Sequence, residues 1–263
     1  MIWILGDLIM KKLLLIAILL LYSNTSLAEQ EIKVAYFSLS PFIIYDKEER
    51  EVIGGALFEF LEQHIGPKIV VEFVWEKLPS SIPRQLDSIE NKSVDAIALL
   101  THTPEREEKY AFTATPFFMS VPAIAVLKSN ELEKVEKVED ILSLKIGYGR
   151  DSYLSPFMRD ERIHFELISS SNFIEQNFHK LMLSTVDAVY APDIASHLGA
   201  IRKLKYEDDI KAIKLPEKES AFHVVFSKDL ESVATRYNEA FDQIDGERAF
   251  MQIMSKFIDT SKL

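Results

Sequence analysis

The chain has 263 residues, a formal net charge of −11 and no cysteine. The acidic balance argues against nucleic acid and anionic membrane surfaces as partners. The lack of cysteine excludes disulfides, cysteine metal sites and a cysteine nucleophile, and the length suits one large domain or two lobes of ordinary size.

The first 28 residues have the pattern of an export signal. Met10 is followed by two lysines, residues 13–21 form an apolar run, and Ser26 to Ala28 place small residues at the cleavage positions. A permanent anchor is the alternative, but the run is shorter than the ~20 apolar residues of a spanning helix. We predict a signal peptide over residues 1–28, translation from Met10 and a soluble periplasmic protein.

Strands and helices alternate along the first half of the remaining chain. Alternating or continuous apolar residues predict strands at 31–37, 69–75 and 96–100. One helix is predicted after Gly54 and Gly55, and a second after Ser81, where an N-cap residue precedes an early proline. This alternation indicates an α/β layer with a largely parallel sheet.

The strand at 96–100 leads into the most informative stretch of the chain. It is followed by Thr101, Thr103 and, after Pro104, by Arg106. Hydroxyls and a guanidinium at the carboxyl end of a strand suit a ligand carboxylate, because the guanidinium donates two parallel hydrogen bonds. The alternative is a helix that starts at Pro104 and carries a surface arginine.

The second half repeats the pattern of the first. Strands are predicted at 122–127, 145–148, 163–168 and 222–226, and helices at 173–183, 228–244 and 247–258. Residues 149–152 are expected to lead into another helix, and the charged segment 131–140 to form a solvated face. Val186-Asp187-Ala188 repeats Val94-Asp95-Ala96, so each half has a V-D-A strand that leads toward a site.

The T-H-T-P-E-R sequence from Thr101 to Arg106 resembles the T-x-T-P-E-R signature of family 3 periplasmic solute-binding proteins, the amino-acid-binding group of the type II fold. The resemblance implies a two-lobed α/β fold in which each lobe is a mixed, mostly parallel sheet flanked by helices. Lobe 1 would comprise residues 29–118 and 222–263, and lobe 2 residues 119–221.

The resemblance also implies roles for individual residues. Arg106 would hold a ligand carboxylate, with Thr101 and Thr103 donating further bonds. Ser152 would lie at a helix N-terminus that favours an anion, and Asp193 would pair with the ligand's ammonium group. Plain helix N-caps are the alternatives for Ser152 and Asp193.

Several departures from the family pattern weaken the step from a carboxylate to an α-amino acid. The spacing from Asp95 to Arg106 is one residue short, that from Asp187 to Asp193 is one residue long, and Asp151 replaces an expected glycine.

Two aromatic residues near the end of the first strand, Phe37 and Phe42, are candidates to stack on the ligand, with core packing as the alternative. The histidines show no metal-binding spacing, and His102 is interpreted as structural. No cofactor or metal is expected.

These observations predict a non-enzymatic, monomeric binding protein for an amino acid or related small carboxylate, which it delivers to a membrane permease. One alternative is a dehydratase-like enzyme on the same fold, with Asp193 and His102 as its candidate acids. Another is a ligand-presenting partner of a membrane sensor.

Overall fold

The computed structural model describes residues 30–263, so the predicted signal peptide lies outside the described residues. Within this range the chain forms two larger β-sheets and a hairpin. The strands are β1 (Gln30–Ala35), β2 (Ile44–Asp46), β3 (Glu51–Gly54), β4 (Val71–Trp75), β5 (Ala96–Thr101), β6 (Tyr110–Phe112), β7 (Phe118–Ser120), β8 (Ala123–Leu127), β9 (Lys145–Gly149), β10 (His164–Ile168), β11 (Ala188–Ala191), β12 (Ile210–Lys214) and β13 (Ser220–Ser227).

The first sheet has the order β4-β1-β5-β13-β6, with β7 paired to β13. β1 and β5 are parallel, with Val34 opposite Ala96, and β13 runs antiparallel to β5, β6 and β7. The second sheet has the order β10-β9-β11-β8-β12, in which β9 is parallel to β10 and β11, and β8 is antiparallel to β11 and β12. Both sheets are therefore mixed, with adjacent parallel strands in each.

Helices flank both sheets. A helical stretch after β3 runs through Ala56–Phe60, a π-helical turn at Leu61–Ile65 and Gly66–Ile69. The remaining α-helices are Ile82–Glu90, Pro104–Lys109, Phe173–Met182, Ile194–Leu204, Glu231–Gln243 and Gly246–Met254. Short 3-10 turns lie at Val138–Asp140, Phe157–Arg159, Lys228–Leu230 and Thr260–Lys262. In residues 30–263, no helix combines the length and apolar character needed to cross a bilayer.

The two V-D-A sequences have the same structural role. Asp95 lies just before β5, and its carboxylate accepts a hydrogen bond from the backbone N–H of Lys33 in β1 at 2.9 Å. Asp187 lies before β11, and its carboxylate accepts from the backbone N–H of Lys145 in β9 at 2.8 Å. Each aspartate also donates its own N–H to the carbonyl of the same lysine. The repeated aspartates therefore join the start of their own strand to the neighbouring parallel strand.

The chain passes between the two sheets twice, after β7 and after β12. β7 pairs with the start of β13, with Ser120 opposite Ser220, so both passages leave and re-enter the first sheet at neighbouring positions. The predicted lobe boundaries at 118/119 and 221/222 stay a prediction, a residue or two from these paired strand ends.

Candidate functional site

A cavity with about 370 Å³ of empty space lies between the two sheets. One wall comes from the carboxyl ends of β1 and β5, and the other from the segments that follow β9, β10 and β11. Carboxyl ends of parallel strands are where open α/β sheets bind ligands.

Arg106 lies in the first wall, on the short helix Pro104–Lys109 that follows β5. Its Nη1 donates to the Thr101 carbonyl at 2.9 Å and its Nη2 to the Asp151 carbonyl, in the segment after β9, at 3.0 Å. Both hydrogen bonds that the guanidinium makes within residues 30–263 go to neutral carbonyls. Burial lowers the pKa of Arg106 below its ordinary value, yet the group stays charged. Three of its five N–H groups are left for a ligand anion.

Asp193 lies in the opposite wall, directly after β11, and is 1% exposed. It is the N-cap of the helix Ile194–Leu204, and its carboxylate accepts from the Ser196 backbone N–H at 2.6 Å and the Ser196 hydroxyl at 2.7 Å. Burial raises the pKa of the Asp193 carboxyl from 3.8 to about 6. No lysine, arginine or histidine forms an ion pair with it in the described part of the chain.

The two threonines of the motif occupy different places. Thr101 ends β5 and lines the cavity. Thr103 is the N-cap of the helix that carries Arg106, and its hydroxyl accepts from the Arg106 N–H at 3.3 Å. Thr103 lines a wider groove beside the cavity and therefore positions the arginine from outside.

Ser152 lines the cavity, but the expected helix after it does not form. Pro156 disfavours the helical conformation at Ser155. The Tyr190 hydroxyl accepts from the Ser155 N–H at 3.1 Å and donates to the Tyr153 carbonyl at 3.2 Å, which occupies backbone groups that a helix would use. Ser152 is thus in a loop held by β11, and a helix N-terminus cannot be its source of anion affinity.

The two candidate aromatic residues lie in different environments. Phe37 lines the cavity, and its ring centroid is 5.7 Å from that of Phe173, which begins the helix after β10 on the opposite wall. Phe42 is fully buried in the core, where its ring packs against Phe118 and Phe250 at 5.5 and 6.4 Å between centroids. It is absent from the cavity lining, so the structure favours core packing for Phe42.

A sequence model of bacterial extracellular solute-binding proteins, family 3, matches residues 32–260. The chain belongs to this family. The match spans both sheets and the cavity between them, and it confirms the resemblance inferred from the T-H-T-P-E-R sequence and the two-lobed α/β fold that the resemblance implied. Comparison with curated protein sequences finds no match.

Solved structures with a similar fold include amino-acid-binding proteins. An ancestral arginine-binding protein bound to arginine is 20% identical, with a TM-score of 0.72 over 88% of this chain and 100% of that chain. The P235GK mutant of ArgBP from T. maritima is 16% identical, with a TM-score of 0.71 over 88% and 95%. The GluR0 ligand-binding core from Nostoc punctiforme in complex with (L)-glutamate is 18% identical, with a TM-score of 0.70 over 86% and 98%. At these identities the likeness shows the fold alone.

Several lining residues of this family 3 protein were not predicted. They are mainly apolar: Leu39, Ile82, Leu99, Phe173, Ile174 and Phe222, together with Tyr153 and Ser196. Ile82 and Phe173 begin helices whose starts were predicted. A helix that follows a parallel strand begins near that strand's carboxyl end, where ligands bind, so both residues could have been predicted. Ser196 could have been predicted from Asp193, because an N-cap carboxylate accepts a hydrogen bond from the N–H three residues later.

Close backbone contacts join the two sides of the family 3 fold beside the cavity. The Ser38 N–H donates to the Ser171 carbonyl at 2.8 Å. Gly199, in the helix Ile194–Leu204, lies against the backbone of Ser40 and Pro41, where an added Cβ would be 2.5 Å from the Pro41 nitrogen. Only glycine permits this approach.

His102 does not enter the cavity lining. Its Nε2 lies 3.1 Å from a carboxylate oxygen of Glu107, and its ring packs edge-on against Phe112. No cluster of three metal-ligating side chains occurs in the described residues.

Proposed function

We propose that this family 3 protein captures an α-amino acid or a related small carboxylate in the cavity between its two sheets and delivers it to a membrane permease. The observation that carries the proposal is that Arg106 and Asp193 enter one cavity from opposite walls. A guanidinium and a carboxylate placed in this way match the two charged ends of a zwitterion.

The electrostatics of the two groups support the same assignment. Asp193 is fully buried and Arg106 is half-buried, and within residues 30–263 neither has an oppositely charged side-chain partner at bonding distance. A buried charge without a partner is unfavourable, and a ligand that supplies the partner removes part of that cost. Closure would also exclude water and strengthen both interactions.

Substitution of Arg106 tests the proposal directly. A thermal-shift screen of amino acids and small carboxylates first identifies the ligand, because a ligand at one hundred times its Kd adds about 2.7 kcal/mol to stability. Arg106→Ala should then weaken binding by about 2–5 kcal/mol, since it leaves a buried carboxylate unpaired. Arg106→Lys should recover only part of this loss, because an ammonium lacks the planar pair of donors.

Arg150→Ala is the matched control. Arg150 is an exposed arginine of the neighbouring groove and is absent from the cavity lining. It should leave the Kd unchanged. An Arg106→Ala protein that binds within threefold of the wild type would contradict the role of Arg106.

Delivery to a permease, and location in the periplasm, rest on the extracellular character of the family. Both are tested in cells by uptake of the labelled ligand with and without the gene, and by fractionation. Unchanged uptake would argue against a transport role even if binding is confirmed.

A further inference from the structure

Apart from Arg106, Asp193 and four hydroxyl-bearing residues, the wall of the cavity is apolar. Its side chains come from both sheets and include Phe37, Leu39, Ile82, Leu99, Phe173 and Ile174. All except Phe37 and Leu39, which follow β1, lie on strands or helices, so most of the wall is built on regular elements of both sides.

In the proposed function, each charged residue of this lining pairs with one charged end of the zwitterion. Among described residues, Arg106 and Asp193 are the charged members of the lining, and the remaining polar members (Thr101, Ser152, Tyr153 and Ser196) carry only hydroxyls. The proposed function assigns Arg106 to the carboxylate and Asp193 to the ammonium group. A third charge on the ligand would therefore be buried against apolar groups and hydroxyls, which is strongly unfavourable.

We infer that the ligand is an α-amino acid with an uncharged, apolar side chain. This inference rests on the proposed function and narrows it. It sets the chain apart from the proteins of similar fold described above with bound arginine or glutamate.

The wider groove shares Arg106, Ser152 and Tyr153 with the cavity and could offer a partner to a charged ligand side chain. It contains Arg150 and Arg159 beside Arg106. Arg159 is already engaged, since its Nε donates to the Leu154 carbonyl at 3.0 Å and its guanidinium lies 5.8 Å from the centre of the Tyr153 ring. The groove also contains the carboxylates of Glu105 and Asp151, which offset its positive charge.

Titration calorimetry of the purified protein with L-leucine, L-valine, L-arginine and L-glutamate tests the inference. Leucine or valine should bind about 100-fold more tightly than either charged amino acid. Arginine or glutamate binding within tenfold of leucine would overturn the inference and leave the proposed function intact. If none of the twenty amino acids binds, the inference fails, and the proposed function then stands only if a small carboxylate binds in the thermal-shift screen.

A pair of variants tests the apolar wall separately. Phe37→Leu should weaken leucine binding about tenfold, since a ring that contacts the ligand is lost. Phe60→Leu changes a fully buried ring that packs against Phe241 and Phe250, away from the cavity, and should lower stability without changing the Kd. Leucine affinity that is within twofold of wild type in Phe37→Leu would overturn the assignment of this wall to the ligand side chain.

Discussion

Asp193→Asn should have opposite effects on stability and on ligand binding. Burial raises the pKa of Asp193 from 3.8 to about 6, so the folded protein holds this proton more tightly than the unfolded chain does. The protonated group therefore favours the fold below about pH 4, and this contribution is lost as the pH rises through about 6. At pH 8 the ionised carboxylate destabilises the ligand-free protein by about 3 kcal/mol.

An asparagine at this position removes the buried charge and keeps the helix N-cap. Asparagine caps helices about as well as aspartate does, although a negative charge at a helix N-terminus contributes about 0.3–1 kcal/mol that the amide lacks. We therefore expect Asp193→Asn to raise the free energy of unfolding at pH 8 by about 2 kcal/mol. The same change should weaken amino-acid binding by about 3 kcal/mol or more, because a buried ammonium loses its partner.

Urea unfolding of the ligand-free protein at pH 5 and pH 8 measures the first effect, and calorimetry measures the second. Asp259→Asn is the matched control. Asp259 is also an N-cap that accepts from the N–H and hydroxyl of one serine, Ser261, but it is exposed and its pKa is lowered, mainly by the Ser261 hydroxyl. Asp259→Asn should not stabilise the protein. Loss of stability at pH 8 in Asp193→Asn would refute the reasoning.

Three further predictions follow from described contacts. Affinity for the amino acid should fall about tenfold at pH 5, because about one Asp193 carboxyl in ten is ionised one unit below its pKa of about 6. Calorimetry from pH 5 to 8 measures this, and a flat profile would contradict the role of Asp193. Gly199→Ala should hold the two sides of the cavity apart, since the new Cβ would lie 2.5 Å from backbone atoms of Ser40 and Pro41. We expect at least about tenfold weaker binding and a larger radius of gyration in X-ray scattering, and an unchanged radius would count against the contact. Asp187→Ala should cost about 1–2 kcal/mol through the lost bond to the Lys145 N–H, and Asp187→Asn, which keeps an acceptor, should cost less in the same urea titration.

The sequence patterns predicted those parts of the fold that local chemistry determines. The helix Ile82–Glu90 begins after Ser81 with an early proline, as expected. β5 is buried along its full length, and its apolar run predicted a strand without knowledge of its partner strands. Arg106 was predicted from the hydroxyls and the guanidinium that follow the buried strand β5, and Asp193 from the family resemblance; both line the cavity.

The features that the sequence did not predict depend on contacts between distant segments. The expected helix after Ser152 is replaced by a loop because Tyr190, far along the chain, binds its backbone. The core position of Phe42 depends on rings from three other elements, Phe118, Phe222 and Phe250. The helix Ile194–Leu204 contains Gly199, which weakens a helical pattern, and the reason for the glycine is a backbone contact that no local pattern reveals.

The hydrogen bond between Asp95 and Lys33 of β1 has a consequence for the distant cavity. Asp95 lies six residues before Thr101, so about 20 Å of extended strand separates the aspartate from the cavity. A slip of one residue at the aspartate would turn the Thr101 side chain to the opposite face of the sheet and displace the arginine that follows it. Random mutagenesis scored by ligand capture should therefore recover Asp95 as a loss-of-binding position, and an attempt to redesign the specificity of this protein must leave that remote anchor intact.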